Sequence, residues 1–142
     1  MSEPRKRIRY EEIGYKAITL LIDGSTIVYD ATVAGGNSAV GRAVTLSAAS
    51  TAALAADGEA IVGKLIMVNP DATCTVQVEG FCLLPGGNGA GLTLGLPIVG
   101  ALNASNAKGY IREVASATAA ELAKGRGKIF DAATTTAVVV QL

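Results

Sequence analysis

Histidine and tryptophan are both missing from these 142 residues, and only two cysteines are present. Without histidine there is no usual general base, no commonest metal ligand, and no Ser-His or Cys-His dyad. Phe and Tyr together number six, against 25 Ala and 17 Gly. Side chains this small suit close backbone approach rather than thick aromatic packing. Charge of either sign is also without excess, since twelve basic residues meet twelve acidic ones. Binding to phosphate backbones draws on a basic excess, so nucleic acid is not expected as a partner. No apolar run nears the roughly 18 residues needed to cross a bilayer, so no membrane partner is expected. The start, MSEPRKRIRYEE, is basic like the front of a signal peptide. The apolar stretch that follows, Ala17 to Ile22, is short and stops at Asp23, which argues against export.

Catalytic arrangements that do without histidine fare little better. Glu11 and Glu12 lie in the basic start, and Asp57 and Glu59 flank a turn, so neither pair reads as an acid/base couple. Gly58 to Lys64 has the GxxxxGK spacing of a phosphate loop, but Leu65 follows where a magnesium-binding Ser or Thr is needed. The sequel, Leu65-Ile66-Met67-Val68, reads as strand rather than helix. No enzyme and no cofactor are expected. Cys74 and Cys82 would sit about 26 Å apart on one extended strand, too far to bond. Buried, reduced thiols of a protein made in the cytoplasm are the reading.

What is present is strand. Ile61 to Val68 and an alternating run from Cys74 to Glu79 flank Asn69-Pro70-Asp71-Ala72, a turn that proline and the Asn and Asp side chains set up. Cys74, Val76 and Val78 alternate with Thr75, Gln77 and Glu79, the period of a strand with one buried face. Together they predict an antiparallel hairpin at the centre of the chain. Lys16–Ile22 and Thr26–Tyr29 around Asp23-Gly24-Ser25 read as another hairpin. Ala43–Leu46, Lys108–Val114, Lys128–Asp131 and Ala137–Leu142 are further strand candidates. Ser47 to Ala56 is nearly all Ala, Ser and Thr and is read as irregular. Pro85 to Gly91 is a glycine loop, and Leu92 to Val99, interrupted by Gly95 and Pro97, suits an edge or a bend. Thr118 to Glu121 has capping-box spacing and opens one short helix that Gly125 closes. The expectation is a mainly β fold: a small barrel or sandwich of short antiparallel strands, with one short helix.

Residues 1–15 differ in composition from the single β-rich domain expected over 16–142. Arg5, Lys6, Arg7 and Arg9 place four positive charges in seven residues, with Ile8 and Tyr10 among them. The first 16 residues carry net +2 and the rest −2. A solvated tail is one reading; an extended arm that orders on an acidic surface is the other. Phe81 and Leu83 raise a second choice. Continued alternation puts Cys82 and Leu84 inside and these two outside, where grouped apolar side chains mark a subunit contact. A bulge at Gly80 would instead swap the faces.

The stretches LAADGEAIVGKLIMV, TCTVQVEG, LLPGG, GLPIVG, KGYIREV, GRGKIFDA and TTTAVVVQL resemble phage head decoration proteins, also called capsid cement proteins, over roughly Leu54 to Leu142. That resemblance implies a non-enzymatic virion protein, seated as a homotrimer on the outer capsid surface and bound to the phage major capsid protein. Its implied work is to stabilise the shell by bridging coat subunits. Arg5, Lys6, Arg7, Ile8, Arg9 and Tyr10 would then form a capsid-binding arm, and Phe81 and Leu83 a subunit interface. The alternative is a β-domain that binds carbohydrate or a host surface through its glycine loops. The absence of Trp, and loops almost without Phe or Tyr, count against it. A nucleic-acid barrel lacks stacking aromatics as well as a basic body.

Overall fold

The alternation around Cys74 organises the first half of the molecule. The computed structural model describes residues 13–88, 91–115 and 119–142. Among these, the barrel strands are β1 (Lys16–Ile22), β2 (Ala43–Ala48), β3 (Thr51–Leu54), β4 (Gly63–Val68) and β5 (Thr73–Glu79). They close in the order β1-β3-β2-β4-β5, with β1 returning to pair antiparallel with β5. Closure leaves no sheet edge to be covered, which is how a small all-β unit avoids edge-to-edge pairing. The predicted central hairpin is present: β4 pairs antiparallel with β5, and Asn69 N–H donates to the Thr73 carbonyl at 2.8 Å across the turn. Cys74 and Val76 point inward with Leu20, Val44, Leu65 and Val68. Alternation translates into a core as far as Val76. Beyond it the expectation is corrected, because the register shifts at Val78 and Gln77, expected on the wet side, is buried and donates to the Glu79 and Phe81 carbonyls.

Two further expectations for this half are corrected. Thr26–Tyr29 is not a strand. The Asp23 carboxylate accepts from the Thr26 and Ile27 N–H groups and from the Ser25 and Thr26 hydroxyls. That side chain satisfies backbone donors a ladder would otherwise use, so the chain turns inward and buries Ile27 instead of pairing back. Ser47–Ala56 is not wholly irregular, because Thr51–Leu54 is β3. It runs parallel to β1 and antiparallel to β2. Ala52 and Ala53 give no periodic signal, yet their small size lets β3 sit between two neighbours with Ala52 fully buried.

Gly80 is the joint between the halves. Its φ of +97° ends β5, and a Cβ there would lie 2.7 Å from the Ile13 carbonyl oxygen. The second half then forms from β6 (Phe81–Leu84), β7 (Ile98–Ala101), β8 (Tyr110–Glu113), β9 (Lys128–Asp131) and β10 (Val138–Gln141). One open sheet has the order β6-β10-β9, and β7 pairs with β8 in a second. Their inner faces share a core of Cys82, Leu84, Ile98, Ile111, Ile129, Val138 and Val140. The segment read as an edge or bend does two things. Gly95 and Leu96 exchange backbone hydrogen bonds with Ile129 on β9, and β7 follows Pro97 as a buried strand. The α-helical turn α1 (Ala119–Leu122) ends with Gly125 N–H donating to the Leu122 carbonyl. Thr118, the expected cap, lies outside the described residues.

Arg126 fastens the halves together. Its guanidinium donates to the Val62 and Val78 carbonyls at the barrel, while its backbone pairs with Ile98. Backbone bonds from Ala43 to Gly109 and from Gly109 to Ala55 add a second seam. Gly58 to Lys64 runs into a strand and opens no helix, as expected for a false phosphate loop.

Candidate interaction surface

The faces that continued alternation expects hold beyond Gly80, although the register shifts opposite Val78. Cys82 and Leu84 are buried, and Phe81 and Leu83 lie on the outer face, so no bulge swaps them. The sheet register shows what surrounds them. Leu83 is opposite Val139, Phe81 is opposite Gln141, and Gln141 is opposite Lys128. Phe130, two residues on from Lys128, shares that face and is 41% exposed. The Phe81 and Phe130 rings meet edge to face, with centroids 4.9 Å apart. Aromatic pairs of this geometry add about 0.5–1.5 kcal/mol beyond the area they bury. Phe130 was not singled out from sequence. Only the pairing of β6 and β9 through β10 brings it to Phe81, 49 positions away.

The same edge of β6 meets the start of the chain. Phe81 N–H donates to the Ile13 carbonyl at 3.1 Å, and Ile13 and Tyr15 are both exposed. Two adjoining hollows of about 300 and 340 Å³ run along β6 from this point. The first is walled by Tyr15, Ile66 and Phe81, the second by Val40, Pro85 and Tyr110, and Lys64 and Leu83 line both. Arg42 closes the far end with its guanidinium 5.2 Å over the Tyr110 ring. No carboxylate lines either hollow among the described residues. The remaining expected site residues, Arg5, Lys6, Arg7, Ile8, Arg9 and Tyr10, lie outside the described residues.

Elsewhere one cation gathers two carboxylates. Arg112 on β8 reaches Asp57 at 2.9 Å and holds both oxygens of Glu121, whose carboxylate also accepts from Ala115 N–H. The Arg112 guanidinium, joined by that N–H, holds the Glu121 carboxyl down at about 2. Glu59 accepts from Ala56 N–H, so Asp57 and Glu59 are turn and clamp residues rather than an acid/base couple. At Asp23, burial opposes ionisation, but the hydrogen bonds from Thr26, Ile27 and Ser25 outweigh it and bring the carboxyl to about 2. Both thiols are free and buried, as expected. Burial pushes Cys82 up to about 11 against the pull of Lys64 and Arg126, and pushes Cys74 up too. Neither sulfur is poised as a nucleophile. No group of three or more metal-ligating side chains occurs among the described residues.

No family model matches this chain, and neither does any curated protein or solved structure.

Proposed function

We propose that this chain is a structural virion protein that binds the outside of an icosahedral phage capsid as a homotrimer and stabilises it by bridging coat subunits. The observation that carries this reading is the apolar outer face of the open sheet, where Phe81, Leu83 and Phe130 are grouped although the barrel beside them has a complete core. Grouped apolar side chains on a small domain mark a contact surface. Each large side chain buried in such a contact contributes roughly 1.5–3 kcal/mol. Support also comes from the resemblance of the strand and glycine punctuation over Leu54 to Leu142. The arm residues Arg5, Lys6, Arg7, Ile8, Arg9 and Tyr10 are the proposed attachment to coat protein, with the virion exterior as location. Binding only the mature lattice would stabilise that lattice by mass action, and a tethered arm would raise its effective concentration.

The competing carbohydrate reading gains little. The cleft lined by Asp57, Asn88, Asn103, Asn106 and Arg112 is polar, but no aromatic ring lines it among the described residues. The test is electron microscopy of empty shells mixed with the purified protein. Threefold density on the shell exterior is expected, weakened by deletion of Met1 to Tyr10. Bare shells at saturating protein would contradict the proposal.

A further inference from the structure

Beyond shell binding, the edge of β6 turned away from β10 has an open place for another strand. Leu142 N–H donates to the Gly80 carbonyl and Gly86 N–H to the Thr135 carbonyl, so the even-numbered residues of this stretch aim their backbone groups toward the β10 side. The odd-numbered ones aim theirs the other way. Phe81 N–H donates to the Ile13 carbonyl, and the Phe81 carbonyl accepts from Gln77 Nε2 at 3.2 Å. The Pro85 carbonyl accepts from Ile111 N–H at 2.9 Å. Between these two filled positions, the Leu83 N–H and carbonyl have no partner among the described residues. An unfilled position on a strand edge is a template for pairing with another chain.

The surroundings define what fits there. The two hollows, of about 300 and 340 Å³, share Leu83 and Lys64 as lining residues. From Phe81 to Pro85 an extended strand covers about 13 Å, room for a visiting segment of about four residues. Tyr15 and Ile66 wall one hollow, and Val40 and Tyr110 the other, which favours apolar side chains at alternate positions of the visitor. Lys64 lines both hollows and no carboxylate lines either among the described residues, which favours an acidic side chain over a basic one. We propose that the β6 edge binds a short extended segment of another protein as an added strand, its backbone on the Leu83 N–H and carbonyl and an acidic side chain within reach of Lys64. Strand addition of this kind takes its affinity from the main chain and its specificity from the hollows beside it.

Amide hydrogen exchange followed by NMR on the full chain tests this, with the peptide acetyl-Thr-Val-Glu-Val-Thr-amide as probe. In the free protein the Leu83 amide should exchange at least about tenfold faster than those of Cys82 and Leu84, which face β10. The probe at about 5 mM should slow Leu83 by about threefold or more, and a fully N-methylated probe, which has no N–H to donate, should leave it unchanged. Replacing Glu by Gln in the probe should weaken binding roughly two- to fivefold, as for a partly exposed ion pair, and Lys64→Gln should erase that difference. No shell is required, so failure here would leave the proposed function standing. A Leu83 amide already as slow as its neighbours in the free chain would overturn the inference. So would no slowing by the probe, or equal slowing by its N-methylated form. Equal affinity of the Glu and Gln probes for the wild type would overturn it too, since the segment proposed is an acidic one.

Discussion

The two halves of this molecule solve the same β-sheet problem in different ways. The barrel closes on itself, so each strand has neighbours on both sides. Its outer surface also carries exposed apolar side chains, Ile18, Leu21, Leu46 and Met67, of which Leu21 is opposite Thr51 and Thr73 and Met67 is opposite Thr75. The second half is an open sheet whose outer face gathers Phe81, Leu83, Val139 and Phe130. A closed barrel has no edge to cover, whereas the open sheet carries these apolar side chains together on one face. The contrast is why the proposed contact face is assigned to the second half. Each half also holds one buried thiol, Cys74 in the barrel core and Cys82 in the other, so each carries its own reporter.

The sharpest way to break this comparison is to remove the joint. Arg126→Ala deletes the charged donor shared by the Val62 and Val78 carbonyls and should cost about 3 kcal/mol. Arg126→Lys should recover little, because one ammonium does not reproduce a planar fork. In denaturant the wild type should unfold in one transition, while in Arg126→Ala the Cys82 thiol should become reactive before Cys74. Simultaneous exposure of both thiols in the variant would show that the halves are one cooperative unit.

Acid sharpens the comparison next. Glu121 clamps the second half and Asp23 shapes a barrel loop, and both are held at about 2, below their ordinary 4.5 and 3.8. A depressed carboxyl contributes stability that is complete above its unfolded value and lost as pH falls through the folded one. Unfolding free energy should therefore drop between roughly pH 4.5 and 2, by on the order of 1 kcal/mol for each group after solvent screening. Glu121→Gln should flatten the part of that drop owed to the second half, and Asp23→Asn the part owed to the barrel. An unchanged pH profile in both would refute these assignments.

How much of this was legible beforehand follows from what each signal is made of. The β4–β5 hairpin was readable because Cys74, Thr75 and Val76 alternate beside a clear turn, and alternation is a property of the strand itself. The burial of Gln77 was not, since a register shift against β1 decides it. β3 was not, since Ala carries no facial preference and only its neighbours make it a strand. The Asp23 turn misled because the Asp-Gly signal promises a hairpin, while the Asp side chain's own hydrogen bonds decided the outcome. Period offered the outer face for Phe81 and Leu83 but left a face-swapping bulge at Gly80 open, and their companion Phe130 needed the β6-β10-β9 order. The groove cations, Arg42 and Lys64, come together only through tertiary packing.

The smallest expected effect lies in the barrel's own turn. Ala72 has a φ of +62°, a left-handed conformation that glycine adopts without strain. Ala72→Gly should therefore be neutral or stabilise by up to about 1 kcal/mol in thermal unfolding, the opposite of the usual cost of adding glycine. A clear loss of stability would mean that the turn tolerates its alanine better than its geometry implies.

The central claim is that the outer face of the open sheet is where copies of this chain meet. Static light scattering on the wild type and on Phe81→Ser with Phe130→Ser, at matched concentration, tests it most directly. The expected result is about three times the 14.3 kDa chain mass for the wild type and a folded monomer for the double variant. A wild type that is monomeric both free and on shells, or a double variant that stays trimeric, would contradict it.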